Sequence, residues 1–356
     1  MTARADDPLF RKRVDQALVS FVDSRRAVLT AVGPELEPFV DAAAGFVVGG
    51  KRLRPQLCLA GWLVAGGDPD DAGLDIAAAA FEWLQASALV HDDLMDASDT
   101  RRGRPSVHRA FEAQHHDEGA VGDAAGFGAS AAVLLGDLLL SWADEMHTVA
   151  SSASPSLSAH PPHVAAARGY WDLCKAEVVA GQFLDVVGQT RPSLSVAEAM
   201  RVIRYKTAKY TVERPLHVGA ALAGADERLI TALTAVALPL GEAFQLRDDV
   251  LGVFGDPAVT GKPSGDDLRE GKRTVLVART AELTDEEGRT LLHDGLGHVE
   301  HVDEVRRLIE SSGALEAVEA DIIELERRAL VAIDALGADA HDVLEPMLRQ
   351  ATRRDS

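Results

Sequence analysis

The sequence predicts an all-α protein built as one large helical bundle. Of its 356 residues, 47% are hydrophobic but only 5% are aromatic, and alanine and leucine dominate the apolar set. This composition favours helix over strand. No segment alternates apolar and polar residues with the period of a strand, whereas several long segments repeat apolar residues at helical spacing. We therefore expect a single domain over residues 1–356.

The predicted helices are separated by four stretches with turn or kink signals. Residues 103–125 are rich in Gly, Asp and His and predict a loop that can include a short helix. Ser151–Pro162 predicts a flexible loop, Pro215 predicts a kink, and 255–271 predicts a glycine-rich loop. The helices between them cover 8–30, 34–48, a segment restarting near 51–55, 72–96, 127–150, 163–188, a segment opened by the capping box Ser195–Glu198, and 227–254.

Charge and cysteine content exclude several classes of protein. The formal net charge is −20, which disfavours a general nucleic-acid binder. Cys58 and Cys174 lie far apart in apolar helical contexts, so we expect neither a disulfide framework nor a zinc site, and a reducing cytoplasm fits. The amino terminus has no apolar signal core. The longest apolar run, Ala129–Trp142, is too short to span a bilayer, so we expect no integral membrane protein.

Two acidic motifs carry the chemistry. In the first, Asp92 and Asp96 lie one helical turn apart on one face, and Asp93 is turned away from them. Like charges at that spacing repel unless a cation neutralises them, and Mg²⁺ held by one or two carboxylates plus substrate phosphates is a common arrangement. The second motif, Asp248-Asp249, ends another long helix, and Gly252 stands where a match to the first motif needs Asp. The two motifs therefore predict a site at which bound Mg²⁺ ions hold a diphosphate.

With these motifs, the chain resembles the trans-isoprenyl (polyprenyl) diphosphate synthases, closest in pattern to geranylgeranyl and farnesyl diphosphate synthases. The resemblance covers roughly residues 40–330, and its six anchors occur in the family's order. It implies the isoprenoid synthase fold, an all-α bundle with a central substrate cavity. The anchors are Gly49-Gly50-Lys51-Arg52-Leu53-Arg54-Pro55, Asp92–Arg102, Gly181-Gln182-Phe183-Leu184-Asp185, Lys206–Tyr210, Phe244–Asp249 and Gly261–Lys272.

The resemblance also implies roles for individual residues. Asp92, Asp96 and Asp248 would bind several Mg²⁺ ions, with support from Asp93, Gln182, Asp185 and Asp249. Cationic side chains would bind the allylic diphosphate, namely Arg101, Lys206 and Lys262, while Lys272 would help to close the loop. A second set would bind isopentenyl diphosphate, namely Lys51, Arg54, Arg102 and Gln85.

The implied reaction joins isopentenyl diphosphate to an allylic diphosphate (dimethylallyl, geranyl or farnesyl) by ionisation, condensation and elimination. Electrostatic stabilisation of the leaving diphosphate would be the dominant catalytic term. Thr207, Gln245 and the Lys206 carbonyl would stabilise the carbocation, and the departing diphosphate would take the proton. His91 is expected to be a hydrogen-bonding support rather than a general base.

Residues upstream of Asp92 predict the product length. One helical turn rises about 5.4 Å, roughly one isoprene unit. Ser87 and Ala88, one turn upstream, are small, whereas relatives that stop at farnesyl diphosphate often have a bulky aromatic residue there. Trp83 and Leu84, two turns upstream, are large enough to close a deeper pocket. We therefore predict geranylgeranyl diphosphate as the main product, with farnesyl or longer products as alternatives.

Assembly and rival functions complete the predictions. Phe127–Trp142 is apolar on most faces, and relatives dimerise through equivalent helices, so a homodimer is expected. A terpene cyclase is disfavoured because it has no isopentenyl diphosphate to bind at Lys51–Arg54. A regulatory prenyltransferase subunit would usually lose acidic residues of the first motif, which are all present. An HD-type phosphohydrolase, suggested by His91-Asp92, has no accompanying set of histidine ligands.

Overall fold

The predicted all-α class is confirmed. The computed structural model describes residues 7–256 and 264–352, and 82% of the structure is helical. Short 3-10 turns cover Pro34–Leu36, Ala150–Ala153 and Val299–His301, and a π-helix covers Ile203–Glu213. The α-helices are α1 Pro8–Thr30, α2 Glu37–Phe46, α3 Leu53–Val64, α4 Ala72–Met95, α5 Val107–Asp117, α6 Ala124–Val149, α7 Pro155–Ala159, α8 Pro161–Gln189, α9 Val196–Val202, α10 Arg214–Leu222, α11 Glu227–Phe254, α12 Asp266–Arg269, α13 Val275–Leu283, α14 Glu286–Gly295, α15 Val302–Ser312, α16 Ala314–Leu336 and α17 Ala338–Thr352.

The segment predicted as a loop after the first acidic motif is more regular than expected. A small antiparallel hairpin pairs β1, Thr100–Arg101, with β2, Arg104–Pro105. Helix α5 follows and buries Val107 and Phe111, four residues apart, on one face. Helix α5 is the short helix that the prediction allowed in this segment, whereas the hairpin was not predicted.

The predicted flexible loop at Ser151–Pro162 also contains helix. A 3-10 turn leads into α7, and Ser154 caps α7 by accepting a hydrogen bond from the Leu157 amide at 3.2 Å. The Ser154 hydroxyl donates to Asp71 Oδ2 at 2.6 Å. Proline fits the first turn of a helix because its missing N–H has no partner there, so Pro155 and Pro161 start helices rather than prevent them.

A change of helix type replaces the kink predicted at Pro215. The capping box of Ser195 and Glu198 is confirmed at the start of α9. The chain then continues as the π-helix Ile203–Glu213 before α10. Pro215 lies in the first turn of α10, where it costs no hydrogen bond.

The helices form two compact units. The first contains residues up to Leu59 together with Gly67–Ala165, and the second contains Ala60–Gly66 together with the chain from Ala166 onward. In the first unit, α4 packs on α6. The Trp83 ring of α4 meets Trp142 of α6 at a centroid distance of 5.3 Å and Phe21 of α1 at 6.0 Å.

The second unit is organised around α11. This helix packs on α16 and on the π-helix. Its buried face contributes Leu246, Val250 and Val253 to a core that also includes Val318 and Ile322 of α16. The core fixes the carboxyl end of α11, where the second acidic motif stands.

Two helices are long and apolar enough to cross a membrane by length and composition, the segments Ala124–Ala153 and Glu227–Phe254. The apolar run Ala129–Trp142 is shorter than a membrane span, but α6 extends beyond it at both ends. Buried core helices pass the same test, and 39% and 50% of the two apolar windows are buried inside the structure. This makes them weak evidence for a membrane span.

Candidate active site

The first acidic motif closes helix α4. Asp96 is the residue that follows the last helical turn, and its amide donates to the Asp92 carbonyl at 2.8 Å. Both aspartate side chains are half-buried, whereas Asp93 is fully buried. The predicted arrangement, with Asp92 and Asp96 one turn apart and Asp93 turned inward, is what the helix end presents.

Asp93 pairs with Arg101 of the hairpin. The Arg101 Nε donates to the two carboxylate oxygens of Asp93 at 2.9 and 3.2 Å, and Nη2 also contacts Oδ1. Arg101 Nη2 lies 3.9 Å from Asp92 Oδ2. A bidentate guanidinium–carboxylate pair fixes the orientation of both side chains. Asp93 therefore orients Arg101 beside the aspartate that the sequence predicts to bind metal.

Strained backbone is concentrated in the predicted motifs. In the described part of the chain, the non-glycine residues with left-handed backbone are Arg52, Ala97 and Arg102, with φ of 54°, 52° and 53°. Arg102 and Gly103 form the two-residue turn of the hairpin, a turn type that needs positive φ at both positions. Such conformations cost about 1–3 kcal/mol each and cluster at functional sites.

Arg52 anchors the basic segment before α3, a role that no feature of the sequence predicts. Its side chain is buried and bonds to Asp15 at 2.8 Å, to Glu82 of α4 at 2.6 Å and to the Val47 carbonyl. Lys51 is exposed and Arg54 half-buried. A buried arginine between them fixes the segment from which these two cations project.

The residues upstream of the first motif line the inner length of α4. Ser87 and Leu84 are buried, and Ala88 and Gln85 are half-buried. Trp83 is fully buried in the aromatic contact with Phe21 and Trp142 already described. Going upstream from Asp92 along α4, the small residues Ser87 and Ala88 are therefore followed by the large residues Trp83 and Leu84, and all four side chains are buried or half-buried.

His91 packs against helix α6, where Gly136 makes room for it. A Cβ at Gly136 would lie 2.1 Å from His91 Nε2. His91 Nε2 lies 3.3 Å from the Val133 carbonyl, to which it donates. This contact is of the kind expected of a hydrogen-bonding support.

The second acidic motif has one exposed and one buried aspartate. Asp248 is exposed, while Asp249 is buried and accepts a hydrogen bond from the Gln245 side-chain amide at 2.8 Å. Burial, together with the carboxylates of Asp267 and Asp248, raises the pKa of Asp249 well above its ordinary value. Such an arrangement is typical of a functional site, and a bound cation would reverse the shift.

Asp267 fills the space beside Gly252. A Cβ at Gly252 would lie 2.0 Å from Asp267 Oδ2 and 2.6 Å from its Cγ. The carboxylate missing from the second motif is therefore replaced in space by one from α12. Lys272 Nζ lies 3.6 Å from Asp267 and 2.6 Å from Glu270, so this predicted lysine stands among acidic groups. The predicted residues Gly261 and Lys262 lie outside the described residues.

Lys206 and Asp185 meet within the second unit. Lys206 Nζ donates to Asp185 Oδ2 at 2.6 Å, and the half-buried Thr207 follows on the π-helix. Gly181 of α8 lets the backbones touch, since a Cβ there would lie 2.2 Å from the Lys206 amide nitrogen. Gly241 of α11 does the same on another side, where a Cβ would lie 2.6 Å from Ala208 Cα.

The predicted residues are divided between the two units. The first unit contains the first acidic motif with its arginine, and also the basic segment anchored by Arg52. The second unit contains Asp248, Asp249 and Gln245, and also Lys206 of the π-helix with its partner Asp185 of α8. Gln182 is half-buried on α8, one residue from Gly181. Sequence reasoning missed Arg52, Asp267 and Gly241, and a buried-glycine signal was available only for Gly241, which interrupts a long apolar helix.

The donor chemistry of both groups fits Mg²⁺. The candidate ligands are carboxylate oxygens, and the ion accepts one or two of these while keeping water and substrate phosphates. Among the residues that the structure describes, no three His, Cys, Asp or Glu side chains cluster as metal ligands.

Comparison with known proteins decides the family. A family model for polyprenyl synthetase matches residues 37–312. The chain belongs to the polyprenyl synthetase family. The predicted activity, a trans-prenyltransferase that makes isoprenyl diphosphates, is confirmed by this membership and by the relatives that follow.

Three similar proteins illustrate the family. The geranylfarnesyl diphosphate synthase of Aeropyrum pernix is 32% identical over 314 residues, which cover 86% of this chain and 91% of that protein. The geranylgeranyl diphosphate synthase of Sulfolobus acidocaldarius is 33% identical over 253 residues, covering 71% and 69%. A geranylgeranyl pyrophosphate synthase of Corynebacterium glutamicum, solved with isoprenyl diphosphate and magnesium, is 39% identical with a TM-score of 0.90, and the match covers 97% and 98% of the two chains. The predicted isoprenoid synthase fold is confirmed.

Proposed function

We propose that this prenyltransferase uses Mg²⁺ to condense isopentenyl diphosphate with an allylic diphosphate and releases mainly geranylgeranyl diphosphate. The observation that carries the proposal is the carboxyl end of α4. There, Asp92 and Asp96 stand together with an arginine that Asp93 orients. Small residues, Ser87 and Ala88, precede them by one turn. We also propose that residues 1–356 act as a single catalytic domain.

The metal-holding residues are Asp92, Asp96 and Asp248. When bound, Mg²⁺ supplies Lewis-acid stabilisation of the charge that develops on the leaving diphosphate. Asp93 holds Arg101, and Asp185 holds Lys206, so each carboxylate fixes a cation that points at substrate oxygens. Asp249 and Gln182 support the second group. In this arrangement Arg101 and Lys206 add to the stabilisation of the diphosphate charge that the metal provides.

Arg101, Lys206 and Lys262 donate to the oxygens of the allylic diphosphate as its C–O bond breaks. Because Asp93 and Asp185 hold Arg101 and Lys206 in place before the reaction, these two cations stabilise the leaving group without reorganising. Lys272 closes the loop over that diphosphate. Isopentenyl diphosphate is bound separately by Lys51, Arg54, Arg102 and Gln85.

The carbocation formed by this ionisation is stabilised by oxygen dipoles. The Gln245 side-chain amide nitrogen is committed to Asp249, which leaves its carbonyl oxygen as the electron-rich end. Thr207 Oγ1 and the Lys206 carbonyl complete the set. The double bond of isopentenyl diphosphate attacks the cation, and the departing diphosphate takes the proton that is then lost from the new cation. No side chain needs to act as a general base.

The proposal is tested by incubating the purified chain with isopentenyl diphosphate and each of three allylic primers, dimethylallyl, geranyl and farnesyl diphosphate. Product length is measured by chromatography with Mg²⁺ and with excess chelator. We expect elongation to twenty carbons, abolished by the chelator and restored by Mg²⁺. Hydrocarbon from geranylgeranyl diphosphate alone would instead identify a cyclase, and turnover only with another subunit would identify a regulatory chain.

Product length is tested separately with Ala88→Phe, because the names of the relatives include products of different length. The aromatic ring would occupy the first isoprene-length step upstream of Asp92, so the main product should shorten toward farnesyl diphosphate. Leu89→Phe, at the neighbouring half-buried position, adds the same ring on another face of α4. Unchanged chain length in Ala88→Phe, or equal shortening in both variants, would reject this pocket.

We further propose a cytoplasmic homodimer that meets through α6. The exposed side chains of this helix include Phe127, Val133 and Leu134, and Leu134 is 62% exposed. Apolar side chains grouped on one helix are typical of an interface. A cytoplasmic setting agrees with Cys58 and Cys174, which are buried and are not joined in a disulfide.

A further inference from the structure

Helix α8 touches the π-helix through a stripe of three residues. Glu177, Gly181 and Asp185 are spaced at i, i+4 and i+8, so they share one face of α8. Gly181 admits the Lys206 backbone, and Asp185 accepts from Lys206 Nζ at 2.6 Å. Glu177 is the third member of the stripe, and it has no role in the proposed reaction.

Glu177 binds the far end of the π-helix. Its Oε1 lies 3.0 Å from Lys209 Nζ, and its two oxygens accept from Arg214 Nε and Nη2 at 2.6 and 2.9 Å. Lys209 Nζ is also 3.0 Å from Glu213 Oε2. The four groups carry two negative and two positive charges, and their side chains are 3–17% exposed. Since the charges balance, removing one carboxylate leaves a buried cation without compensation.

The π-helix needs such an anchor. Its hydrogen bonds run from each N–H to the carbonyl five residues earlier, whereas an α-helix uses four, so the same residues would point in other directions if the segment became α-helical. The segment Ile203–Glu213 keeps the π form for eleven residues, although most π-helices are single turns. Lys206 and Thr207 lie inside it. Their direction therefore depends on what holds the segment in this form.

We infer that Glu177 is a positioning residue for the allylic diphosphate site, because it fixes the π-helix along α8 and thereby sets where Lys206 stands. It acts through Lys209 and Arg214 and has no contact with the reacting atoms. This inference rests on the proposed function of Lys206. It adds that the binding of one of the two substrates depends on a buried charge network at the opposite end of the π-helix.

The test is Glu177→Gln in the full chain. We expect kcat/KM for geranyl diphosphate to fall at least about tenfold, as misplacing a substrate-binding group does, while KM for isopentenyl diphosphate stays within about twofold. Calorimetry with inorganic pyrophosphate and Mg²⁺ should show weaker binding in the same variant. In the Lys206→Met background, Glu177→Gln should cost little more, because a residue that acts through Lys206 has nothing left to position.

Asp75→Asn is the matched control, since Asp75 is also a buried carboxylate paired to an arginine, Arg13, at 2.8 Å. This variant should lower thermal stability without weakening the binding of one substrate more than that of the other. If Glu177→Gln is too unstable to purify, Lys209→Met removes the same link and keeps the Glu177–Arg214 pair.

The inference is overturned if both substrates lose affinity equally, if neither does, or if the effects of Glu177→Gln and Lys206→Met simply add. If the wild-type chain does not elongate any primer, the proposed function fails, and the calorimetric comparison of pyrophosphate binding then decides the inference by itself. Unchanged pyrophosphate binding would reject the positioning role, and weaker binding would support it.

Discussion

Asp267 occupies the space in which the second acidic motif has glycine. The sequence places Gly252 three residues after Asp249, where the first motif has Asp96. In the fold, the Asp267 carboxylate from α12 fills that position. A missing carboxylate in a motif is therefore replaced by a residue that is distant in sequence, which motif matching along one helix does not detect.

Restoring the motif with Gly252→Asp should harm the enzyme rather than improve it. The new side chain would start 2.0 Å from Asp267 Oδ2, so one carboxylate must move, and two like charges would face each other beside Asp249. We expect activity at limiting Mg²⁺ to fall about tenfold, the usual effect of disturbing groups around a metal site. A Mg²⁺ titration of the transfer rate measures this.

Gly252→Ala and the double variant Gly252→Asp with Asp267→Gly separate the causes. The alanine tests crowding alone, and the double variant should recover activity because only one carboxylate remains in the space. Higher activity of Gly252→Asp alone would contradict this account of Asp267.

His217 contacts Arg214 of the buried charge network and has a shifted pKa. Burial lowers the pKa of His217 to about 4, although Glu213 nearby opposes the shift. Arg214 Nη1 donates to its Nδ1 at 3.1 Å, so Nε2 carries the proton and faces Thr234 Oγ1 at 3.0 Å. A neutral imidazole with one accepting and one donating nitrogen satisfies both neighbours.

This depressed pKa predicts acid sensitivity. Between the ordinary histidine pKa and about 4, the unfolded chain binds a proton that the folded chain does not, so the free energy of unfolding falls as pH falls. The free energy of unfolding of the wild-type chain should fall between about pH 7.5 and about pH 5. We expect this fall to be smaller by about 2 kcal/mol in His217→Gln. Urea denaturation of both proteins at the two pH values measures it. Parallel pH profiles of the two proteins would mean that His217 has the same pKa in the folded and unfolded chain, which would contradict the lowered value.

At the scale of elements, the π-helix depends on glycines in its neighbours. Gly181 of α8 and Gly241 of α11 let their helices contact its backbone, which no larger residue allows at these distances. This close packing holds Lys206 and Thr207 at a fixed distance from both helices. The same contacts explain why the Gly181-Gln182 motif begins with glycine.

Gly181→Ala should therefore destabilise the protein, while Gly169→Ala in the same helix should not. A Cβ at Gly181 would meet the Lys206 amide nitrogen at 2.2 Å, but a Cβ at Gly169 would meet nothing within 4 Å. We expect a loss of about 3 kcal/mol for the first variant. For the second we expect a gain of up to about 1 kcal/mol from helix propensity. Chemical denaturation measures both, and equal effects would contradict the backbone contact.

At the scale of the whole molecule, the net charge of −20 and the anionic substrates stand in apparent conflict. Local cations resolve it, because Arg101 and Lys206 are each held by a carboxylate at the predicted site. Global charge governs solubility, and the placed cations govern which ligand binds.

The proposed dimer gives a prediction at this scale. Leu134→Glu places a charge on the exposed apolar face of α6 and should produce a monomer in sedimentation equilibrium. Val19→Glu is the matched control, since Val19 on α1 is 58% exposed, close to the 62% of Leu134. It should leave the dimer intact. A monomeric wild-type chain, or a dimer that survives Leu134→Glu, would reject α6 as the interface.

The helical class, most helix positions and the family can be predicted from the amino-acid sequence. Helical periodicity and caps act within a few residues, so α1, α4, α11 and the capping box at Ser195 could be read directly. The six anchors identify the family because their order and spacing are written in the chain. The roles proposed for Asp92, Asp96 and Asp248 also come from that pattern.

The contacts between distant segments could not be predicted in this way and become visible in the folded structure. The π-helix, the Asp267 carboxylate beside Gly252, the anchor at Arg52 and the stripe of α8 all depend on packing between residues tens of positions apart. Local propensity contains no information about such contacts, because their energy comes from burial and pairing that arise only when the helices meet. The acidic motifs could be found in the chain, but the groups that orient them could be found only in the fold.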